Sequence, residues 1–185
     1  MSLFEDYKPR KTTDPKNTVP TDLVIRPAMP DDTDQLAKIA YDRDGGEISQ
    51  IKNRFKHEIA KRDSTDDRLL LVAESNARIV GFARVKWFKP SSSAPDNICP
   101  EGWYLTGVIV AKEYRRRGIA SALTRARLDW IAERAGKAYY FANAQNEVSI
   151  ELHEQFGFVE LTRDFVYPDV TFQGGEGILF IIDLA

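Results

Sequence analysis

Residues 103–120 read WYLTGVIVAKEYRRRGIA, and the order of these letters sets the architecture. Leu105 to Val110 is an apolar run suited to a strand. From Ile119 to Ile131 the apolar positions Ile119, Leu123, Ala126 and Trp130 recur at helical spacing, so a helix with one buried face follows. Between them lies a short basic turn with a single glycine, Gly118. A strand, a tight turn and a helix start together make an anion site. The first amides of a helix lack intrahelical acceptors, its dipole places partial positive charge there, and glycine lets a ligand approach the main chain. Arg115, Arg116 and Arg117 add fixed charge around it. Cations at a helix start are electrostatically misplaced unless an anion sits nearby, so a phosphorylated ligand is expected.

Working outward, the 185 residues are 43% hydrophobic and 29% charged, a globular composition for one domain with a real core. A net charge of −2 gives no general attraction to nucleic acid or to an anionic membrane, which makes the arginine run a local feature. One cysteine, Cys99, excludes an internal disulfide. No apolar stretch nears the roughly 20 residues of a membrane span, and the charged N-terminus does not resemble a secretory signal. These features lead to a cytoplasmic expectation.

Residues 1–21, with Pro9, Pro15 and Pro20 among polar residues, read as a flexible tail, and 22–185 as a single domain. Leu23 to Ile25 suggests a first strand. Pro30 with Asp31, Asp32 and Asp34 marks a helix start. A second helix is expected from Glu47 to Lys61, with Ile48, Ile51, Phe55 and Ile59 on one stripe. Leu69–Ala73 and Ile79–Trp87 suggest a hairpin turning at Ser75 and Asn76, and the proline- and serine-rich 89–101 is a loop. After the basic turn and its helix come a strand at Ala138–Ala142, a helix at Glu147–Phe156 stopped by Gly157, and strands at Phe158–Tyr167 and Gly177–Leu184. The fold class is mixed α/β, with helices on a central sheet.

Arg115-x-x-Gly118-x-Ala120, preceded by Val108 and Val110, resembles the acetyl-CoA motif Gln/Arg-x-x-Gly-x-Gly/Ala of the GCN5-related N-acetyltransferases (GNAT). A second segment, from Asn146 through Ser149, Leu152 and His153 to Gly157 and Phe158, resembles that family's Asn-x-x-Ala-x-x-Leu-Tyr-x-x-x-Gly-Phe. Ile25-Arg26-Pro27-Ala28 followed by Asp31 and Asp32 is similar to the family's usual opening. The resemblance covers the chain from about Leu23 onward. It implies a mostly antiparallel sheet split in a V between its fourth and fifth strands, flanked by about four helices. It implies acetyl-CoA as cosubstrate, no metal and no nucleic acid, and it allows a homodimer. Arg115, Arg116, Arg117, Gly118, Ile119 and Ala120 would hold the diphosphate. Val108, Ile109 and Val110 would pair with the pantetheine arm, helped by a bulge at Gly107, with Asn146 and Ser149 also on the cofactor.

The activity implied is direct acetyl transfer to a primary amine of a small molecule, of the aminoglycoside or polyamine kind. Protein N-terminal or lysine acetylation and a non-catalytic acyl-CoA sensor stay open. Transfer needs a neutral amine and a donor for the leaving thiolate. Where relatives carry a tyrosine as that acid, this chain has His153. Neutral imidazole still offers one N–H, while a structural histidine at this place is equally consistent. Glu101 is the candidate base, and a water chain does as well. Tyr104 and Thr106 alternate along the strand as candidate acceptor contacts, joined by Tyr41 and Tyr167. His57 is read as solvent-facing.

Overall fold

The computed structural model describes residues 18–62, 65–172 and 174–184. The expected tail falls mainly on 1–17, outside the described residues. The strands and helices follow in the expected order: β1 (Val24–Pro27), α1 (Thr33–Asp44), α2 (Ile48–Arg62), β2 (Arg68–Ser75), β3 (Arg78–Phe88), β4 (Gly102–Val110), α3 (Ile119–Ala132), β5 (Lys137–Asn143), α4 (Glu147–Glu154), β6 (Val159–Thr162) and β7 (Gly177–Asp183). The sheet is seven-stranded, in the order β1-β2-β3-β4-β5-β7-β6. The described residues form two compact units, one of 18–85 with Gly107–Arg127, the other of Lys86–Thr106 with 128–184.

In the first unit, α2 buries Ile51, Phe55 and Ile59 of its predicted stripe, but Ile48, at the first residue of the helix, is half exposed and lies outside the core. Leu36, Ala37 and Ile39 meet Ile51, Phe55 and Ile59 over Leu70, Val72, Phe82 and Ile109. β1 runs antiparallel to β2 from Val24↔Glu74 to Pro27↔Leu71. The β2–β3 turn lies one residue later than expected, at Asn76 and Ala77, with φ of 51° and 57°. Two consecutive positive φ values match the right-handed twist of paired strands. Asp22 secures the turn by accepting from the Ser75 hydroxyl (2.9 Å) and the Asn76 amide (2.6 Å).

The buried face of α3 differs from the expected one. Ile119 and Leu123 are buried, but with Thr124, Arg127, Leu128 and Ile131 in place of Ala126 and Trp130. Trp130 instead packs edge-on against Trp103 and under the Arg134 guanidinium. Apolar content alone misses a face on which an arginine is buried.

In the second unit, β4 and β5 pair in parallel from Trp103↔Ala138 to Leu105↔Tyr140. β5 pairs antiparallel with β7 along its whole length, and β7 with β6. β6 is much shorter than the predicted Phe158–Tyr167. Its register shifts between Glu160 and Thr162, and Arg163 then turns back to bind both Glu160 and Glu176, taking the chain off the sheet. Val166 instead bridges Ile98. A second apolar cluster of Phe88, Cys99, Tyr104, Tyr167 and Leu179 fills one face of this unit.

Candidate active site

β4 ends where the Ala111 amide donates to Val80 O (2.9 Å). A single 3-10 turn, Lys112–Tyr114, follows. Arg116 then has φ +66° and Gly118 φ +76°. Positive φ on either side of Arg117 turns successive amides toward one point, the geometry of an anion nest. For arginine this conformation costs about 1–2 kcal/mol, strain that a ligand-binding turn can carry. α3 begins directly after, with Ala122 donating to Gly118 O (3.0 Å). The amides at Ile119, Ala120 and Ser121 therefore lack intrahelical acceptors and lie at the positive end of the dipole. The arrangement fits a diphosphate.

The three arginines are not equivalent. Arg115 folds back, its Nε donating to Val110 O at 3.1 Å. The Arg117 guanidinium lies 5.1 Å from the centre of the Tyr114 ring. Arg116 is the exposed one. Upstream, Gly107 within β4 has φ +66°. An added Cβ there would approach only Arg84 Nη1, at 3.9 Å, so conformation and not space calls for glycine. Ile109 faces the core while Val108 and Val110 are half-buried, which leaves their main chain as the usable feature.

The other unit holds the α4 cluster. Asn146 caps α4, its side-chain oxygen accepting from the Ser149 amide at 3.3 Å. Ser149 is half-buried and His153 is 2% exposed. His153 Nδ1 lies 2.7 Å from Ser149 O. A carbonyl only accepts, so Nδ1 carries the proton, and neutral imidazole then presents a lone pair at Nε2. Its ring stacks on Tyr140 at 3.7 Å and 9°. Burial pushes the Tyr140 phenol above its ordinary value.

The profile of the Acetyltransferase (GNAT) family matches residues 34–158, two thirds of the chain, and spans the nest, β5 and α4. The chain belongs to the GNAT family. A GNAT protein of this kind is an acetyl-CoA-dependent acyltransferase. The chain is 25% identical over 141 residues to an N-alpha-acetyltransferase from Sulfurisphaera tokodaii, covering 74% of this chain and 80% of that one. It shares its fold with a PaiA N-acetyltransferase from Thermoplasma acidophilum solved in complex with coenzyme A (TM-score 0.62, 19% identity, 87% and 98% of the two chains). A ribosomal-protein-alanine N-acetyltransferase from Brucella melitensis is also similar in fold (TM-score 0.65, 22% identity, 86% and 99%).

The remaining candidates of this GNAT chain spread widely. Glu101 is exposed, with Lys89 Nζ 3.7 Å away. Tyr104 does not line a surface: it is wholly buried, donates to Pro100 O (2.7 Å) and stacks on Tyr139. Its size and the apolar neighbours at Phe88 and Leu179 make it core. Tyr167 is 9% exposed and its hydroxyl has no hydrogen-bond partner. Thr106 is half-buried, Tyr41 is exposed on α1, and His57 is exposed on α2 as expected. Tyr140, buried against His153, has no signal in the sequence beyond its place next to Tyr139 in β5. Cys99 is fully buried, which pushes its thiol up to about 11 despite a hydrogen bond with Tyr104. Among the described residues no group of three His, Cys, Asp or Glu side chains could hold a metal ion, and no helix is long and apolar enough to cross a membrane.

Proposed function

We propose that the chain transfers the acetyl group of acetyl-CoA directly to a primary amine of a small molecule. The observation that carries this is the amide nest at Arg116–Ala120, with its paired positive φ values at the head of α3. Main-chain amides there would hold the diphosphate, with Arg116 as the exposed counter-charge. The backbone of Val108, Ile109 and Val110, in the same unit as the nest, would align the pantetheine arm. Acetyl-CoA supplies a thioester carbonyl already activated toward amines. The protein's share is orientation and removal of one amine proton. An alkylammonium with a pKa near 10 must lose that proton first, and with Glu101 exposed and near Lys89, water is the simplest carrier. Tyr41 at the exposed end of α1 offers a cationic acceptor an aromatic face, whereas Asp42 and Asp44 beside it are already paired with Lys38 (3.2 Å) and Arg43 (3.3 Å).

A second reading, acetylation of protein N-termini, is favoured by the names of the Sulfurisphaera and Brucella relatives. Free-CoA release separates the two readings. Polyamines, aminoglycosides, peptides with free N-termini and the same peptides blocked would each be offered with acetyl-CoA. Turnover of the small amines supports the first reading, and turnover confined to unblocked peptides replaces it with the second. Absence of CoA binding by calorimetry at millimolar ligand would remove both.

A further inference from the structure

On the reading above, which this inference rests on, the acyl end of the cofactor has a place in β4. With the diphosphate at Arg116–Ala120 and the pantetheine arm along Val110, Ile109 and Val108, the arm runs back down the strand and the thioester arrives at Gly107. Gly107 is exposed, so its main chain is open to a ligand. Among the described residues, the only non-neighbouring atom within 4 Å of where a Gly107 Cβ would stand is Nη1 of Arg84 in β3, at 3.9 Å. Arg84, Gly107, the arm-binding backbone and the nest all belong to one unit.

Arg84 is held differently from Arg26 and Arg68 of the same unit. Arg26 is shared by Asp32 and Glu74, and Arg68 makes two bonds to Asp67. The Arg84 side chain makes one, from Nε to Glu58 Oε1 on α2 at 2.7 Å. A guanidinium carries five N–H donors in a rigid fork, so the N–H groups of Nη1 and Nη2 have no acceptor among the described residues. The guanidinium lies 5.1 Å from the centre of the Phe55 ring and 4.9 Å from that of Phe82, both buried. Glu58 and the two rings hold the fork in place, while 29% of the side chain stays exposed to whatever reaches Gly107. Charge beside apolar rings is screened less than in open water. Donors already fixed in direction need no rearrangement when charge develops in front of them.

We propose that Arg84 binds the acyl oxygen of the thioester through its Nη groups and stabilises the oxyanion of the transfer step, with Glu58 as the residue that positions the guanidinium. In the step, the amine lone pair forms the N–C bond and the carbonyl π pair moves onto oxygen. There the guanidinium donates its hydrogen bonds without giving up a proton. The oxygen pair then re-forms the carbonyl as the C–S bond breaks with its electrons on sulfur. The amine proton passes to water, and CoA leaves as the thiolate. Arginine suits this role because its side chain does not deprotonate in proteins, so the donors are present at every working pH.

The test uses the full chain with acetyl-CoA isotope-labelled at the acetyl carbonyl, and reads the infrared band of that carbonyl in the complex. A hydrogen bond from a guanidinium weakens the C=O bond. The wild-type band should therefore lie below that of Arg84→Met, whose stem keeps its packing on Phe55 and Phe82. Glu58→Ala, which releases the guanidinium, should fall between the two. Glu58→Gln still accepts from Nε and should return toward wild type. With any amine that is turned over, Arg84→Met should lower kcat about a hundredfold and leave both KM values within about twofold. Calorimetry should give the same affinity for CoA itself in all four proteins, since it has no acyl oxygen and the nest is untouched. Where Arg84→Met does not melt cooperatively, the Glu58→Ala band decides in its place. A band unmoved by the substitution would overturn the assignment. A raised KM for the amine at unchanged kcat would also overturn it, and would make Arg84 a clamp for the acceptor. The infrared measurement needs no acceptor, so it decides the matter whichever amine is the substrate. Wild-type protein that binds no CoA would instead sink the acetyl-transfer reading itself.

Discussion

Asp32 shows how a residue that reads as a helix signal earns its place through a charge. Its carboxylate takes two bonds from Arg26 (2.7 and 2.9 Å) and one from the Met29 amide (2.7 Å), and Arg26 reaches on to Glu74 in β2. Burial alone would raise the Asp32 pKa, but the Arg26 and Met29 hydrogen bonds outweigh it and hold the group below its ordinary 3.8. A carboxylate depressed in the fold contributes stability that is fully present above 3.8 and is lost as pH falls through its lower folded value. Asp32→Asn should therefore cost about 2 kcal/mol at neutral pH, less than a fully buried pair because Arg26 is partly exposed. The gap between variant and wild type should narrow in acid, as urea titrations at pH 7 and pH 3 would show. A gap unchanged with pH would assign the cost to lost capping. The pairing of Arg26 with Asp32 gives a physical reason for the opening motif that is legible in the sequence. The fate of His153 was not legible, because one hydrogen bond to the Ser149 carbonyl settles which nitrogen keeps the proton.

Among the elements, α3 was legible in extent and not in orientation. Ile119 to Ala132 matches the expected helix, yet the face it buries includes Arg127, 1% exposed. Period and apolar content locate a helix, but they rank an arginine as solvent-facing, and here the guanidinium finds neutral partners inside. Nη2 donates to Thr124 Oγ1 at 2.8 Å, Nη1 to Arg84 O at 3.4 Å, and Nε has no partner. No carboxylate among the described residues pairs with it. Burial lowers its pKa to about 9, so it stays charged at neutral pH. A charge buried without a counter-charge is a net cost, and replacing it with an apolar side chain of similar length is often neutral or stabilising. Arg127→Met should leave stability unchanged or raise it by up to about 3 kcal/mol, read from urea midpoints at constant m. A fall of that size would show that the bonds to Thr124 and Arg84 outweigh the desolvation of the guanidinium. β6 is the converse case: Phe158 to Tyr167 has strand composition throughout, but Arg163, held by Glu160 and Glu176, ends the pairing early.

At the scale of the whole molecule, the order of elements could be read in advance and the division into two units could not. β3 and β4 each pass from one unit to the other, at Val85 and Thr106, in the middle of a single strand with no turn or breaker to mark the boundary. The nest belongs to one unit and the α4 cluster to the other, so a test of the nest reports on binding and on the stability of the unit that carries it. A ligand that binds only the folded state stabilises it by mass action, by about 2.7 kcal/mol at a hundredfold excess over Kd. CoA should therefore raise the melting midpoint of the wild type in a concentration-dependent way. Gly118→Ala must hold φ +76° with a side chain, which costs about 1–2 kcal/mol without ligand. The same substitution places a methyl group among the amides of Arg116 to Ala120, so the CoA-induced rise should shrink at every concentration. A lower unliganded midpoint with an undiminished CoA-induced rise would mean that the strain is real but the diphosphate is held elsewhere, and the amides at the head of α3 would lose their role.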